Sequence, residues 1–332
     1  MKFPRASAWQ RGLIGVLLCA MLNSAALAQA PNWPAKVVKF VVPFAPGGTT
    51  DIVARILGQR LGELWGQTVV VENKAGSGGN IGADAVAKSP ADGYTILVAS
   101  GSILTVNPHL FKDKMPFDAK KDFAPITNIA SGPMLLIVHP AVPAKSVNEL
   151  IALAKEKPKT LTFGSAGPGS QVHMAGESFA YTTGIDVIHV PYRGEAAAYN
   201  DMLGGQINFI VGNIAAAANY VKSGKARALG VTSLTRSALL PDVPTLDESG
   251  LKGFENNGSF GLIAPAGTPK PIIDKIARDT ARVLEEAGVK ERLFAQGMTT
   301  IGDSPEEYGK SIDAEYEKWK KIVQVRNISI GN

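Results

Sequence analysis

The chain keeps returning to one unit: a β-branched run, a loop of small residues, then apolar positions at helical spacing. The stretch "FVVPFAPGGTTDIVARIL", residues 40–57, shows it most fully. Val37 to Val42, interrupted only by Lys39 and Phe40, reads as a buried strand that Pro43 and Pro46 end. Gly47 and Gly48 free the backbone to turn tightly and let a ligand come close. Thr49 or Thr50 can cap the helix that follows, whose apolar positions are Ile52, Val53, Ile56, Leu57, Leu61 and Leu64. The remaining N–H groups and the positive end of the helix dipole then face whatever sits over the loop, which suits an anion. Asp51 in the first turn suits the dipole but repels an anion placed directly above it. An ordinary strand-to-helix turn carries the same pattern, so this stretch alone leaves both readings open.

Further units follow. "QTVVVENKAGSGGNIGADAVAKS" repeats strand, Gly-rich loop and helix, and "YTILVASGSIL" is a strand running into a small-residue loop. "PMLLIVHP" opens a second series, and Ser146 with Glu149 three residues on has the spacing of a capping box. "TLTFGSAGPGSQVHMAGESFAY" then repeats the opening layout, followed by "IDVIHVPYRGEAAAYNDMLGGQINFIVGN" and the strand "ARALGVTS". This alternation predicts parallel sheets flanked by helices. The same unit in both halves predicts two similar α/β lobes, with the chain crossing between them through strands because no Pro/Ser linker separates them. Residues 268–325 read as mainly helical, with Pro269, Pro271 and Pro305 at helix starts.

The first residues address the compartment. Lys2, Arg5 and Arg11 precede the apolar "GLIGVLLCAM", too short to span a bilayer, and "AALA" supplies small residues for cleavage. Residues 1–28 therefore read as a secretory signal peptide. Cys19, the single cysteine, lies within it, and Leu18 before it argues against lipoprotein processing, so the mature chain is expected to hold no disulfide. The net charge of +5 falls to 5 − 3 = +2 without the leader, no footprint for nucleic acid. The Lys-rich end, alternating with Glu315 and Glu317, reads as a solvated helix face.

Several chemistries are excluded by spacing. The opening loop has Thr49 and Thr50 where a P-loop needs Lys and Ser/Thr. In "GSGGNIG" Ile81 breaks the dinucleotide fingerprint. The four histidines, His109, His139, His173 and His189, form no metal motif. No G-x-S-x-G elbow occurs, and a pairing of Ser165 or Ser170 with His173 has no indicated acid partner. We read the chain as no enzyme, with no cofactor. His173 either faces a ligand or bonds to nearby backbone. What remains is a set of small-residue loops at the C-terminal ends of strands, where open α/β sheets bind ligands. Two such edges can face each other across a cleft that closes by hinge motion.

Taken in order, "VVPFAPGGTTDIVAR", "VVVENKAGSGGNIGADAVAKSPADGYT", "FGSAGPGSQVHMAGE", "VPYRG", "DMLGGQI" and "GVTSLTRSALLPDVPTLDESG" resemble the Bug-type extracytoplasmic receptors of tripartite tricarboxylate transporters. The resemblance runs from about residue 34 to residue 319, and the ordered set is more specific than any one motif. It implies an α/β periplasmic binding protein of the two-lobed, type II Venus-flytrap kind. Residues 29–127 and 253–332 would form one lobe and residues 128–252 the other. It implies a small carboxylate ligand passed to a membrane permease of one large and one small subunit, by a monomer in the periplasm. It also implies a grip made by Phe44, Ala45, Gly48 and Thr50 from the first lobe and Ser165, Ala166, Gly169 and Ser170 from the second.

The chain departs from many relatives at Ser100, Ser102 and Ile103, and at Gly212 and Asn213, where an acidic residue is common. These positions are expected to read the rest of the ligand, although Asn213 fits a helix cap equally well. In "VPYRG", Tyr192 and Arg193 are expected to close over the ligand. Arg193 either bonds a carboxylate, bridges the lobes or is a solvated cation. Ser100, Ser102, Tyr192, Arg193 and Asn213 offer a second anion site, with Phe44, Ile103 and Tyr192 bordering an apolar middle. The expected ligand is thus a small dicarboxylate, aliphatic or aromatic of the terephthalate kind. An acidic amino acid stays open because Asp51 and Glu195 are near in sequence, as does a sensory role without transport.

Overall fold

A computed structural model describes residues 33–326 and 328. Residues 1–28, the expected signal peptide, and with them Cys19, lie outside the described residues.

In chain order the elements are β1 Val38–Val42, α1 Thr49–Trp65, β2 Val69–Asn73, α2 Asn80–Ala87, β3 Thr95–Ser100, α3 Ser102–Thr105, α4 Asn107–Phe111 and β4 Phe123–Val138. Then come α5 Val147–Glu156, β5 Thr162–Ser165, α6 Gln171–Thr183, β6 Ile188–Pro191, α7 Glu195–Leu203, β7 Phe209–Asn213, α8 Ile214–Lys222 and β8 Arg227–Val231. The chain ends with β9 Asn257–Pro265, α9 Lys270–Glu285, α10 Ala287–Phe294, β10 Thr299–Thr300 and α11 Pro305–Arg326.

The strand order is β2-β1-β3-β9-β4-β7-β5-β6, with β8 and β10 also paired to β4. The β2-β1-β3 and β7-β5-β6 groups are parallel, as the alternation predicts. The sheets as wholes are mixed, which corrects that expectation. The cause is β4 and β9, which run antiparallel to their neighbours. Residues 123–133 of β4 pair with β9, and residues 134–138 pair with β7 and β8. One 16-residue strand therefore carries the chain from the first sheet into the second. Register shifts between Pro125 and Thr127 and between Asn128 and Ala130 bend it on the way.

The inner strands of the parallel groups are apolar, while the edge strands β2 and β6 keep exposed positions at Val70 and Ile188. Val38, Phe40, Val41 and Val42 are all buried. A core around Leu135, Ile137, Phe163, Phe179 and Phe209 fills the second lobe. In the first, Val41, Leu97, Ile263 and Tyr308 share a cluster. Each such side chain contributes about 1.5–3 kcal/mol by leaving water. Tyr308 of α11 packs on β9, where a Cβ on Gly261 would come within 2.1 Å of its hydroxyl. Ser146 caps α5 as its spacing predicts: its Oγ accepts from Glu149 N–H at 3.2 Å. Among the described residues, no helix is long and apolar enough to cross a membrane.

Candidate functional site

The C-terminal ends of β1 and β5 bring two Gly-containing loops together. The loop after β1 turns at Gly47, which has a φ of +86°. Its N–H donates to Asp51 Oδ2 at 3.1 Å. Arg55 holds the same carboxylate through Nε and Nη2, both at 2.9 Å, and Asn73 Nδ2 donates to Oδ1 at 3.0 Å. Burial pushes the Asp51 carboxyl up, but Arg55, Gly47 and Asn73 outweigh it and hold it below its ordinary value. Asp51 thus braces the loop rather than meeting a ligand.

The residue at the N-cap of α1 is Gly48, and no side chain caps the helix. The expected threonine cap is absent because Thr49 and Thr50 are already helical. Thr49 instead donates across the cleft, through its N–H at 3.1 Å and its Oγ1 at 2.9 Å, to Glu195 Oε2. Glu195 opens α7 on the other side. Its Oε1 accepts from Asn213 N–H at 3.3 Å and from Asn213 Nδ2. Asn213 stands at the N-cap of α8 but makes no side-chain cap bond. One first-turn N–H of α1, that of Thr49, is therefore used by a carboxylate from outside the helix, in the manner of an anion site.

The loop after β5 is braced from below. Ser165 Oγ accepts from Gly167 N–H at 3.0 Å and shares a 2.6 Å hydrogen bond with His189 Nε2. His173 Nδ1 accepts from Gly169 N–H at 3.1 Å. The two imidazoles lie 4.1 Å apart, and Phe163 stacks on His189 at 4.9 Å. Burial first, and then His173, pushes the His189 imidazole down to about 3. Ser170 caps α6, accepting from His173 N–H at 3.2 Å. Gly169 has a φ of +80°, and a Cβ there would meet Asn107 Oδ1 of α4 at 2.0 Å.

Between these loops is a space of about 20 Å³, room for roughly one water. Of the residues expected from the sequence, Phe44, Gly48, Thr50, Ser100, Ala166, Ser170 and Asn213 line it. The others do not. Ser165 and His173 brace the second loop from beneath, and Gly169 turns within it. Ala45 uses its N–H on Arg193 O at 3.3 Å, so backbone at Arg193 joins the two sides while its side chain is exposed. Tyr192 donates its hydroxyl to Asp201 at 2.7 Å, and burial with that carboxylate pushes it up to about 12. Ser102 shares a 3.2 Å bond with Ser100 and faces a different, wider groove of about 590 Å³. Gln171 separates the two spaces, donating to Ser259 O of β9 at 2.6 Å.

Sequence reasoning missed Thr49, Gln171, Val172 and Phe260 as lining residues, and Glu195 was weighed only as a partner for an ammonium group. Gln171 and Val172 were legible as the residues directly after a helix cap. Phe260 lies on β9, a strand the alternation did not reveal. The wider groove is flanked by charges already paired, Lys252 with Asp247 and Lys318 with Glu315, each at 3.0 Å. The small space holds the convergent neutral donors, so it is the candidate site.

The chain has the two-lobed fold of periplasmic binding proteins, each lobe a sheet flanked by helices. The sequence model of the tripartite tricarboxylate transporter family receptor matches residues 53–328, and the chain belongs to that family. It is a solute receptor of the Bug type rather than an enzyme. It is 36% identical to protein BugT of Bordetella pertussis over 312 residues, 94% of this chain and 95% of BugT. It is similar to a solved structure of R. palustris Rpa4515 with adipate at 36% identity and a TM-score of 0.86, covering 90% of this chain and 99% of that one. MatC (Rpa3494) from Rhodopseudomonas palustris with bound malate is similar at 30% identity and a TM-score of 0.84, covering 88% and 100%.

Proposed function

We propose that this receptor captures a small dicarboxylate, aliphatic or aromatic, in the periplasm and delivers it to a permease of one large and one small subunit. It would work as a monomer, exported by cleavage of residues 1–28. Residues 29–127 and 253–332 would move as one lobe against residues 128–252. The observation that carries the reading is the cradle of Thr49 and Asn213, which holds a carboxylate, that of Glu195, with neutral donors from both sides of the cleft and no cation. Hydrogen bonds to a charged group contribute about 1.5–3 kcal/mol each, enough for such a grip without a buried lysine or arginine. Adipate and malate on two relatives are both small dicarboxylates, which favours that class. Phe44, Val172 and Phe260 give the space an apolar wall, against which methylenes or a ring would lie once the lobes part to admit the solute. An acidic amino acid fits less well, because Asp51 uses its acceptors within the protein, on Gly47, Arg55 and Asn73.

A thermal-shift panel of aliphatic diacids, aromatic diacids, citrate, aspartate and glutamate tests this. A ligand at 100 times its Kd adds about 2.7 kcal/mol, a rise of several degrees for a chain this size. We expect the largest shift from a diacid. A shift with aspartate or glutamate alone would sink the proposal.

A further inference from the structure

We propose that Glu195 is an internal carboxylate that competes with the solute for Thr49 and latches the cleft shut until a solute carboxylate takes its place. The inference rests on the reading of the solute as a carboxylate. Three observations lead to it.

The first is where the bonds come from. Thr49 opens α1, directly after the β1 loop of the first sheet, while Glu195 opens α7 and Asn213 ends β7 of the second. The carboxylate therefore ties the two lobes to each other. It does not act alone, since Ala45 N–H reaches Arg193 O two residues before Glu195, and a Cβ on Gly194 would meet Ala45 N at 3.1 Å.

The second is how completely the carboxylate is used. Oε2 takes two donors from Thr49 and Oε1 takes two from Asn213. A carboxylate offers about four acceptor sites, and all four are filled. Glu195 consequently has no acceptor left for a donor on the solute while this arrangement holds. It is 6% exposed, so water does not compensate for a broken bond. A role as a direct contact for a solute ammonium or hydroxyl is incompatible with this geometry; a role as a stand-in for a solute carboxylate is what it describes.

The third is what the arrangement leaves over. Asn213, 5% exposed and lining the space, has its Oδ1 without a partner. Its amide has been turned to serve Glu195 at the expense of its own acceptor, an uncompensated buried oxygen of the kind that native interiors avoid. The latch therefore ties the lobes together yet leaves a buried acceptor unmet, which is what exchange with a second carboxylate requires. A solute anion entering while Glu195 occupies Thr49 would lie against a like charge in a water-poor space. Entry and departure of Glu195 are thus coupled.

Small-angle scattering, amide exchange and stopped-flow binding on the mature chain test the latch, using Glu195→Ala and Glu195→Gln, the second preserving side-chain size. Without added solute, both variants should show a larger radius of gyration than the native chain and faster exchange at the Thr49 amide. With adipate and terephthalate as probes, association should be about tenfold faster in both, because more of the population is open to entry. An unchanged radius with unchanged Thr49 protection would overturn the latch, as would slower association with weaker affinity, which would make Glu195 part of the solute grip. If neither probe binds any of the three proteins, the carboxylate reading fails while scattering and exchange still decide whether Glu195 holds the lobes.

Discussion

The loops after β1 and β5 have the same layout in sequence, strand, small residues, helix, but they are built by opposite means. The first is held by a charged network, Asp51 with Arg55 and Asn73, and its helix has no side-chain cap. Its first-turn N–H at Thr49 therefore goes to an acceptor from outside. The second is held by two imidazoles and two serine hydroxyls, and Ser170 consumes a first-turn N–H internally. The difference teaches that two similar loops need not contribute equally. The first donates, while the second is a rigid, self-satisfied wall that carries Ala166 into the apolar cluster of Phe44 and Ile103.

Acid separates the two loops most strongly. His189 is pushed down to about 3 from an ordinary 6.5, so the folded protein keeps it neutral where the unfolded chain binds a proton. Its contribution to stability is whole above pH 6.5 and is lost as pH falls from there towards 3, at up to about 1.4 kcal/mol per pH unit. Asp51 is held below 3.8, so its contribution is present above 3.8 and is lost only below that. Urea unfolding of the native chain should therefore weaken steadily between pH 6.5 and 4, and His189→Gln should flatten that slope. An unchanged slope in the variant would mean that the imidazole brace is not what distinguishes the second loop.

A smaller effect comes from one left-handed glycine in each loop, Gly169 and Gly47. Gly169→Ala should cost about 2–4 kcal/mol, because strain at positive φ adds to a collision with Asn107. Gly47→Ala should cost about 1 kcal/mol, from strain alone, since its Cβ would meet only Ala196 at an ordinary 3.7 Å. Equal costs, measured by denaturant midpoints, would erase the contrast between a packed second loop and an open first one.

Local pattern made much of this legible. The β1 loop, the β5 loop and the capping box at Ser146 were all readable, since each depends on residues within a few positions of one another. The long strand β4 was only half visible, from "PMLLIVHP" onwards, because its first half mixes Pro125, Thr127 and Asn128 with bulges that break the alternation. Strand β9 was hidden by Gly258 and Gly261, glycines demanded by Asn213 and by Tyr308 from distant parts of the chain. The same limit applied to the site. Tyr192 and Arg193 read as ligand contacts, but neither lines the small space: the Tyr192 hydroxyl is on Asp201 and the Arg193 side chain is exposed. Glu195 opens the helix directly after that loop, and only the fold brings Thr49, 146 residues away, onto its carboxylate.

The smallest expected effect concerns the caps. Ser170→Ala removes a hydroxyl that accepts from His173 N–H, and should lower stability by about 1 kcal/mol. Gly48→Ala alters a position with an unstrained φ of −83° and ordinary contacts of 3.7 Å to Glu195, so stability should change by no more than about 0.5 kcal/mol. Its consequence should fall on binding, because the added methyl points at the Glu195 carboxylate in the cradle. The pair therefore divides the two loops by readout, stability for the second and affinity for the first. Calorimetric titration with a diacid and urea unfolding of the same preparations check it. A Gly48→Ala variant that loses stability but keeps its affinity would reverse the assignment of donor loop and wall.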